Sequence, residues 1–199
     1  MHNRHLAEKL VECAQNDLRL RQELAASGAL FDGYHPEMEK LHIANARVLE
    51  SVIEKLGGWP CAATVGAEAS EAAWLIVQHA IGLPAFQRAA LSFLQSAAAS
   101  GAVPAWQPAM LDDRIRAFEG RLQTYGTQFD WDENGELSPL PIEKPESVND
   151  RRASVGLGLI EEKTAEMRRR AAREGDRAPA DIQKRRQEAD RWARKAGWR

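Results

Sequence analysis

Apolar residues recur along most of this chain at the spacing of one helix face, and the interruptions fall at glycine and proline. Leu6, Leu10, Cys13, Leu20 and Leu24 mark an amphipathic helix over residues 5–26, with Gly28 just beyond as a stop. Met38, Leu41, Val48, Leu49, Val52, Ile53 and Leu56 mark a second over 36–56, opened by Pro36 and halted by Gly57-Gly58. The near-continuous run Ala72-Ala73-Trp74-Leu75-Ile76-Val77 predicts a third helix, over 67–80, covered on most sides. Phe86, Ala90, Phe93, Leu94 and Ala97 predict a fourth over 84–100, and Leu111, Ile115, Phe118 and Leu122 a fifth over 108–122. The period then changes. Gln128-Phe129-Asp130-Trp131, the turn at Asn134-Gly135 and Leu137-Ser138-Pro139-Leu140 predict a short hairpin, its second strand an edge because of Pro139 and Pro141. A sixth helix is expected over 147–170, capped by Ser147 with Asp150 three residues on, and a last, almost wholly polar one over 179–195. The pattern is that of a mainly α protein: a single-domain bundle of about six or seven helices with one small β-hairpin near 127–142. The expected partition is a helical domain over 1–165 and a basic, charged helical extension over 166–199.

A chain of 199 residues, 44% of them apolar, can bury one sizeable core. It has no run of 18 or more apolar residues, and its start carries charge without the apolar stretch of a secretory signal, so a cytoplasmic protein without membrane contact is expected. Cys13 and Cys61 form no CxxC pair and read as small core residues. The formal charge of −2 conceals an asymmetry, because 13 of the 27 Lys and Arg but only 8 of the 29 Asp and Glu fall after residue 160. Such a tail suits a solvated helix with i,i+4 ion pairs, or contact with a protein partner. Nucleic acid is not expected: Arg168-Arg169-Arg170 and Lys184-Arg185-Arg186, with Trp192 and Trp198 near them, carry no reader motif, and the rest of the chain is acidic.

Polar residues on the apolar faces change the picture, because a buried polar group is costly unless it is paired. Asp17 continues the row of Leu6, Leu10 and Cys13, and spacing offers Arg21 as its partner. His42 and Asn45 share a face of the second helix, Gln78 and His79 follow the apolar run of the third, and Arg114 joins the stripe of the fifth beside Asp113. Arg152 precedes Val155, Leu159 and Ile160, and the stretch 123–128 gathers hydrogen-bonding groups around Gly126. Any one of these has a plain structural role open to it. Together they predict a convergent pocket. His2, His5 and His35 read as exposed.

The strings His42-x-x-Asn45, Gly58-Trp59-Pro60, Val65-Gly66, Trp74 with Gln78-His79, Gln87, Asp113-Arg114 and Tyr125-Gly126-Thr127-Gln128 resemble an uncharacterised bacterial family known only as a domain of unknown function. The resemblance spans about residues 10–160, with Asn149-Asp150-Arg151-Arg152 matching the family's arginine-bearing region. It implies that these positions are a signature and implies no reaction.

The chemistry expected of the pocket is metal-independent hydrolysis or group transfer on an anionic small molecule or peptide. His79, His42 and Tyr125 are the candidate catalytic groups, since imidazoles can take and return protons near neutrality. Arg114, Gln128, Asn45, Gln78, Arg152 and Asp113 are the candidate substrate-binding groups, with arginine suited to a carboxylate or phosphate. No GxSxG elbow, P-loop or dinucleotide fingerprint is present, and no cofactor is expected. A subsidiary reading places a divalent metal on His42, His79 and Asp113. The alternative function is a non-catalytic binding or interaction module that uses the same pocket.

Overall fold

Helices follow the apolar period closely in a computed structural model that describes residues 3–28 and 34–199; Met1 and His2 lie outside the described residues. They are α1 (Arg4–Ala26), α2 (Pro36–Leu56), α3 (Ala62–Val65), α4 (Ala67–His79), α5 (Pro84–Ala99), α6 (Trp106–Phe118), α7 (Val148–Ser154), α8 (Ile160–Glu174) and α9 (Ile182–Ala196). Two short strands, β1 (Phe129–Trp131) and β2 (Leu137–Pro139), form an antiparallel hairpin with Asp130 opposite Ser138. The fold is mainly α. None of the described helices is long and apolar enough to cross a membrane.

Contacts divide the chain into two compact units, Met1–Val103 and Pro104–Arg199, so the boundary expected near residue 165 falls inside the second unit. In the first, α1, α2 and α4 pack on one another. Their shared core is Leu6, Leu10 and Cys13 from α1, Met38, Ala46, Leu49 and Val52 from α2, and Ala69, Ala73, Ile76 and Val77 from α4. Asn45 donates to the Cys13 carbonyl at 3.2 Å, a buried bond that ties α2 to α1. Gln87, on α5, is fully buried and donates to the Val77 carbonyl of α4. His35 caps α2 by accepting the Glu37 N–H. Cys13 and Cys61 are both buried free thiols.

In the second unit Leu111 and Ile115 of α6 are buried, as are Val148 of α7, Ile160 and Ala171 of α8, and Ala193 of α9. Several elements depart from the sequence pattern, among them the one-turn α3, which no apolar period marked. α6 ends at Phe118, short of Leu122, because the chain turns at Gly120, whose φ is +72°. The sixth predicted helix is two, α7 and α8, since Gly156 at φ +78° and the Arg152 bond to the Gly158 carbonyl bend the chain between them. Ser147 caps α7 with no side-chain bond to its amides; its hydroxyl donates to the Lys144 carbonyl instead. The basic segment is held to the hairpin. Arg168 pairs with Glu136 at 2.9 Å and donates to the Leu137 carbonyl, and Arg185 pairs with Asp130 at 2.8 Å. Phe118 packs between Trp192 and Trp198, with ring centroids 5.4 and 5.1 Å away.

Candidate functional site

The apolar stripe of α1 reaches Asp17 after Leu6, Leu10 and Cys13, and so delivers a carboxylate into the core, where it is 1% exposed. A bare carboxylate there would cost several kcal/mol, on the order of the penalty for a buried ion. α2 and α4 answer with one imidazole each. His79, the last residue of α4, brings Nδ1 to 2.9 Å from Asp17 Oδ2. His42, in the second turn of α2, brings Nε2 to 3.0 Å from the same oxygen, but off the direction of a ring N–H hydrogen bond. The two rings lie 5.1 Å apart. Arg21, offered by spacing as the partner of Asp17, is exposed.

Burial by itself would raise the Asp17 carboxyl, but the two imidazoles hold it well below the ordinary carboxylate range. Behind His42 stands Tyr34, with Oη 2.8 Å from Nδ1. Burial, and then the charges of Glu39 and Asp17, keep that phenol protonated well above its ordinary value. Two polar atoms of the cluster, Asp17 Oδ1 and His42 Nε2, meet no well-directed hydrogen-bond partner among the described residues. Of the three members only His79 reaches solvent appreciably, with 26% of its side chain exposed. One carboxylate oxygen and two imidazole nitrogens, from three helices, lie within 4.8 Å of one another. That donor set can accept a proton from a nucleophile or hold a cation.

Asn45 and Gln78, expected to bind substrate, are also buried in the first unit, where Asn45 is engaged by its bond to α1. The remaining expected residues belong to the second unit, and there most of them build a loop. Asp113 on α6 is fully buried, and its two oxygens accept the N–H groups of Thr124, Tyr125 and Thr127 and the Thr127 hydroxyl at 2.7–3.2 Å. Burial raises its carboxyl, and these bonds offset only part of the rise. Gln123 closes the other side of the loop: its amide accepts the Gln128 N–H and donates to the carbonyls of Gln128 and Leu140. Arg152 donates to the carbonyls of Tyr125 and Gly158, and Arg151 to that of Thr124. The Tyr125 phenol is half-buried, and burial followed by the charges of Asp112 and Asp113 raises it. Arg114 lies half-buried on α6, its guanidinium lowered by burial to about 10 and still charged at neutral pH.

Gly126 makes this loop possible. Its φ is +66°, and a Cβ there would stand 2.6 Å from Ile142 Cδ1 and 3.0 Å from Ile160 Cδ1. Gly126→Ala is therefore expected to cost about 2 kcal/mol, combining left-handed strain with overpacking. A thermal unfolding midpoint within 1 °C or so of wild type would refute this account.

Sequence reasoning placed Asp17 on the stripe but gave it the wrong partner, and it passed over Tyr34. A buried acid on a face that only exposed arginine could reach was the available signal for the first. Tyr34 precedes α2, outside any periodic run, and gave none. Residues 5–170 match the family of unknown function DUF6624, and the chain belongs to that family. Comparison with the curated proteins and with the solved structures gives no match.

Proposed function

For this member of the family we propose hydrolysis or group transfer, with the nucleophile activated at Asp17, His42 and His79. The observation that carries the reading is the meeting of one carboxylate and two imidazoles from three helices around a carboxylate that is 1% exposed. A helical core gains nothing from such a group that a leucine would not supply, whereas a reacting centre needs proton-accepting groups held rigidly and shielded from water. His79 is the member through which a nucleophile can enter.

In the reaction, the oxygen of water or of an acceptor hydroxyl bonds to the acyl carbon or phosphorus of an ester, and its proton passes to the cluster. The ester bond breaks, and the leaving oxygen departs with a proton. Asp17 balances the positive charge that develops beside it and fixes the His79 ring through Nδ1. Arg152, expected as an anion clamp, has no part in this reaction, because its guanidinium is engaged by the Tyr125 and Gly158 carbonyls.

The test is a panel of activated esters, p-nitrophenyl phosphate and p-nitrophenyl acetate among them, followed by kinetics of His79→Ala. Wild type should turn over at least one of them, and the variant should lose about 10²–10⁴-fold in kcat/KM while still unfolding cooperatively. No turnover across the panel, or turnover that His79→Ala leaves intact, sinks the proposal in favour of a binding module.

A further inference from the structure

We infer that Asp17, His42 and His79 bind one divalent transition-metal ion of the Zn²⁺ type. The inference names the activating agent at the centre proposed above and rests on that reading only for its catalytic consequence. Two imidazole nitrogens and a carboxylate oxygen suit zinc and its first-row neighbours, whereas calcium and magnesium prefer oxygen alone. Ligands about 2.1 Å from an ion at near-tetrahedral to right angles stand roughly 3.0–3.4 Å apart. Nε2 of His42 and Nδ1 of His79 lie 3.0 and 2.9 Å from Asp17 Oδ2, and all three donor atoms lie within 4.8 Å of one another, so rotation of the two imidazoles brings them around one ion.

Asp17 Oδ1 and His42 Nε2 belong to side chains that are more than nine-tenths buried, and among the described residues neither meets a well-directed hydrogen-bond partner, Nε2 facing Asp17 Oδ2 off the line of an N–H bond. Buried polar atoms without partners are uncommon, and here both belong to a set of convergent ligands. A cation held by the Asp17 carboxylate through both oxygens, with Nε2 of His42 beside it, answers both at once. Tyr34 completes the arrangement from behind. A His42 proton on Nδ1, donated to the Tyr34 oxygen 2.8 Å away, leaves the Nε2 lone pair directed at the ion. Three protein ligands leave a coordination position open, which is how catalytic zinc sites differ from closed structural ones. With Asp17, His42 and His79 holding it, the ion would supply its acidifying effect on water at that position, and the imidazoles would serve as its ligands.

The experiment titrates the full chain, stripped with a chelator and then dialysed, with Zn²⁺ by calorimetry and with Co²⁺ by visible absorption. The expected result is one ion per chain and a raised unfolding midpoint. Tyr34→Phe should weaken binding about 10–100-fold, the loss typical of an outer partner, and His79→Gln should weaken it further. His5→Gln, at an exposed position of α1, should leave it unchanged. Neither ion binding at one per chain, or binding that His79→Gln leaves intact, overturns the inference. Turnover without bound metal ends this inference and spares the catalytic reading, and metal binding without turnover does the reverse.

Discussion

Asp113→Ala is expected to destabilise the second unit by on the order of 4 kcal/mol, because three backbone N–H groups and one hydroxyl lose their acceptor together. Each donor left buried costs about 1–3 kcal/mol, and the small cavity adds to that. Against a typical domain stability of roughly 5–15 kcal/mol the change brings the unit close to unfolding. Asp113→Asn keeps one accepting oxygen but turns an NH₂ group toward donors, so about half the loss is expected. Urea denaturation measures both, and hydrogen exchange at Thr124, Tyr125 and Thr127 reports where the protection is lost. A loss below about 1.5 kcal/mol for the alanine variant would mean that the loop does not depend on this carboxylate.

Asp17→Ala is the second large change. It removes the carboxylate that faces both imidazoles in the core of the first unit, and a loss of roughly 3 kcal/mol is expected for the charge-assisted contacts. The measurement belongs in the presence of a chelator, so that any bound ion does not enter the balance. Asp17→Asn separates structure from function at this position. Its amide can still accept from one ring and donate to the other, so it should retain more than half of the lost stability, yet it carries no charge to hold a cation or balance a proton. An asparagine variant that folds well, binds no Zn²⁺ and turns over no ester is the pattern expected of a functional carboxylate. Equal activity in Asp17→Asn and wild type would leave the group a purely structural one.

The two clusters bear on the chain in different ways. The stretch Tyr125-Gly126-Thr127-Gln128 has the look of a binding loop, rich in hydroxyls and amides. Its backbone is instead consumed by Asp113, Gln123 and Arg152, which hold a tight turn between α6 and the hairpin. The Asp17 cluster shows the opposite balance, since two of its polar atoms meet no well-directed partner among the described residues. Polar groups that satisfy one another support a fold, and polar groups that do not are the better mark of a site.

The sequence by itself determined the mainly helical fold, most helix starts and stops, and the hairpin, because these depend on local periodicity and on prolines and glycines acting at their own positions. It also placed Asp17, His42 and His79 on inward faces, since a face is a matter of spacing along one helix. Which face meets which lay beyond it. The pairing of Asp17 with two histidines, 25 and 62 residues away, depends on how α1, α2 and α4 pack, and i,i+4 spacing could suggest only the exposed Arg21. Tertiary structure alone likewise decided that Asp113 and Arg152 turn toward backbone groups of the 123–128 loop, because the donors and acceptors they satisfy lie 11 to 27 residues away. Spacing assigns a side chain to a surface, and packing assigns it a partner.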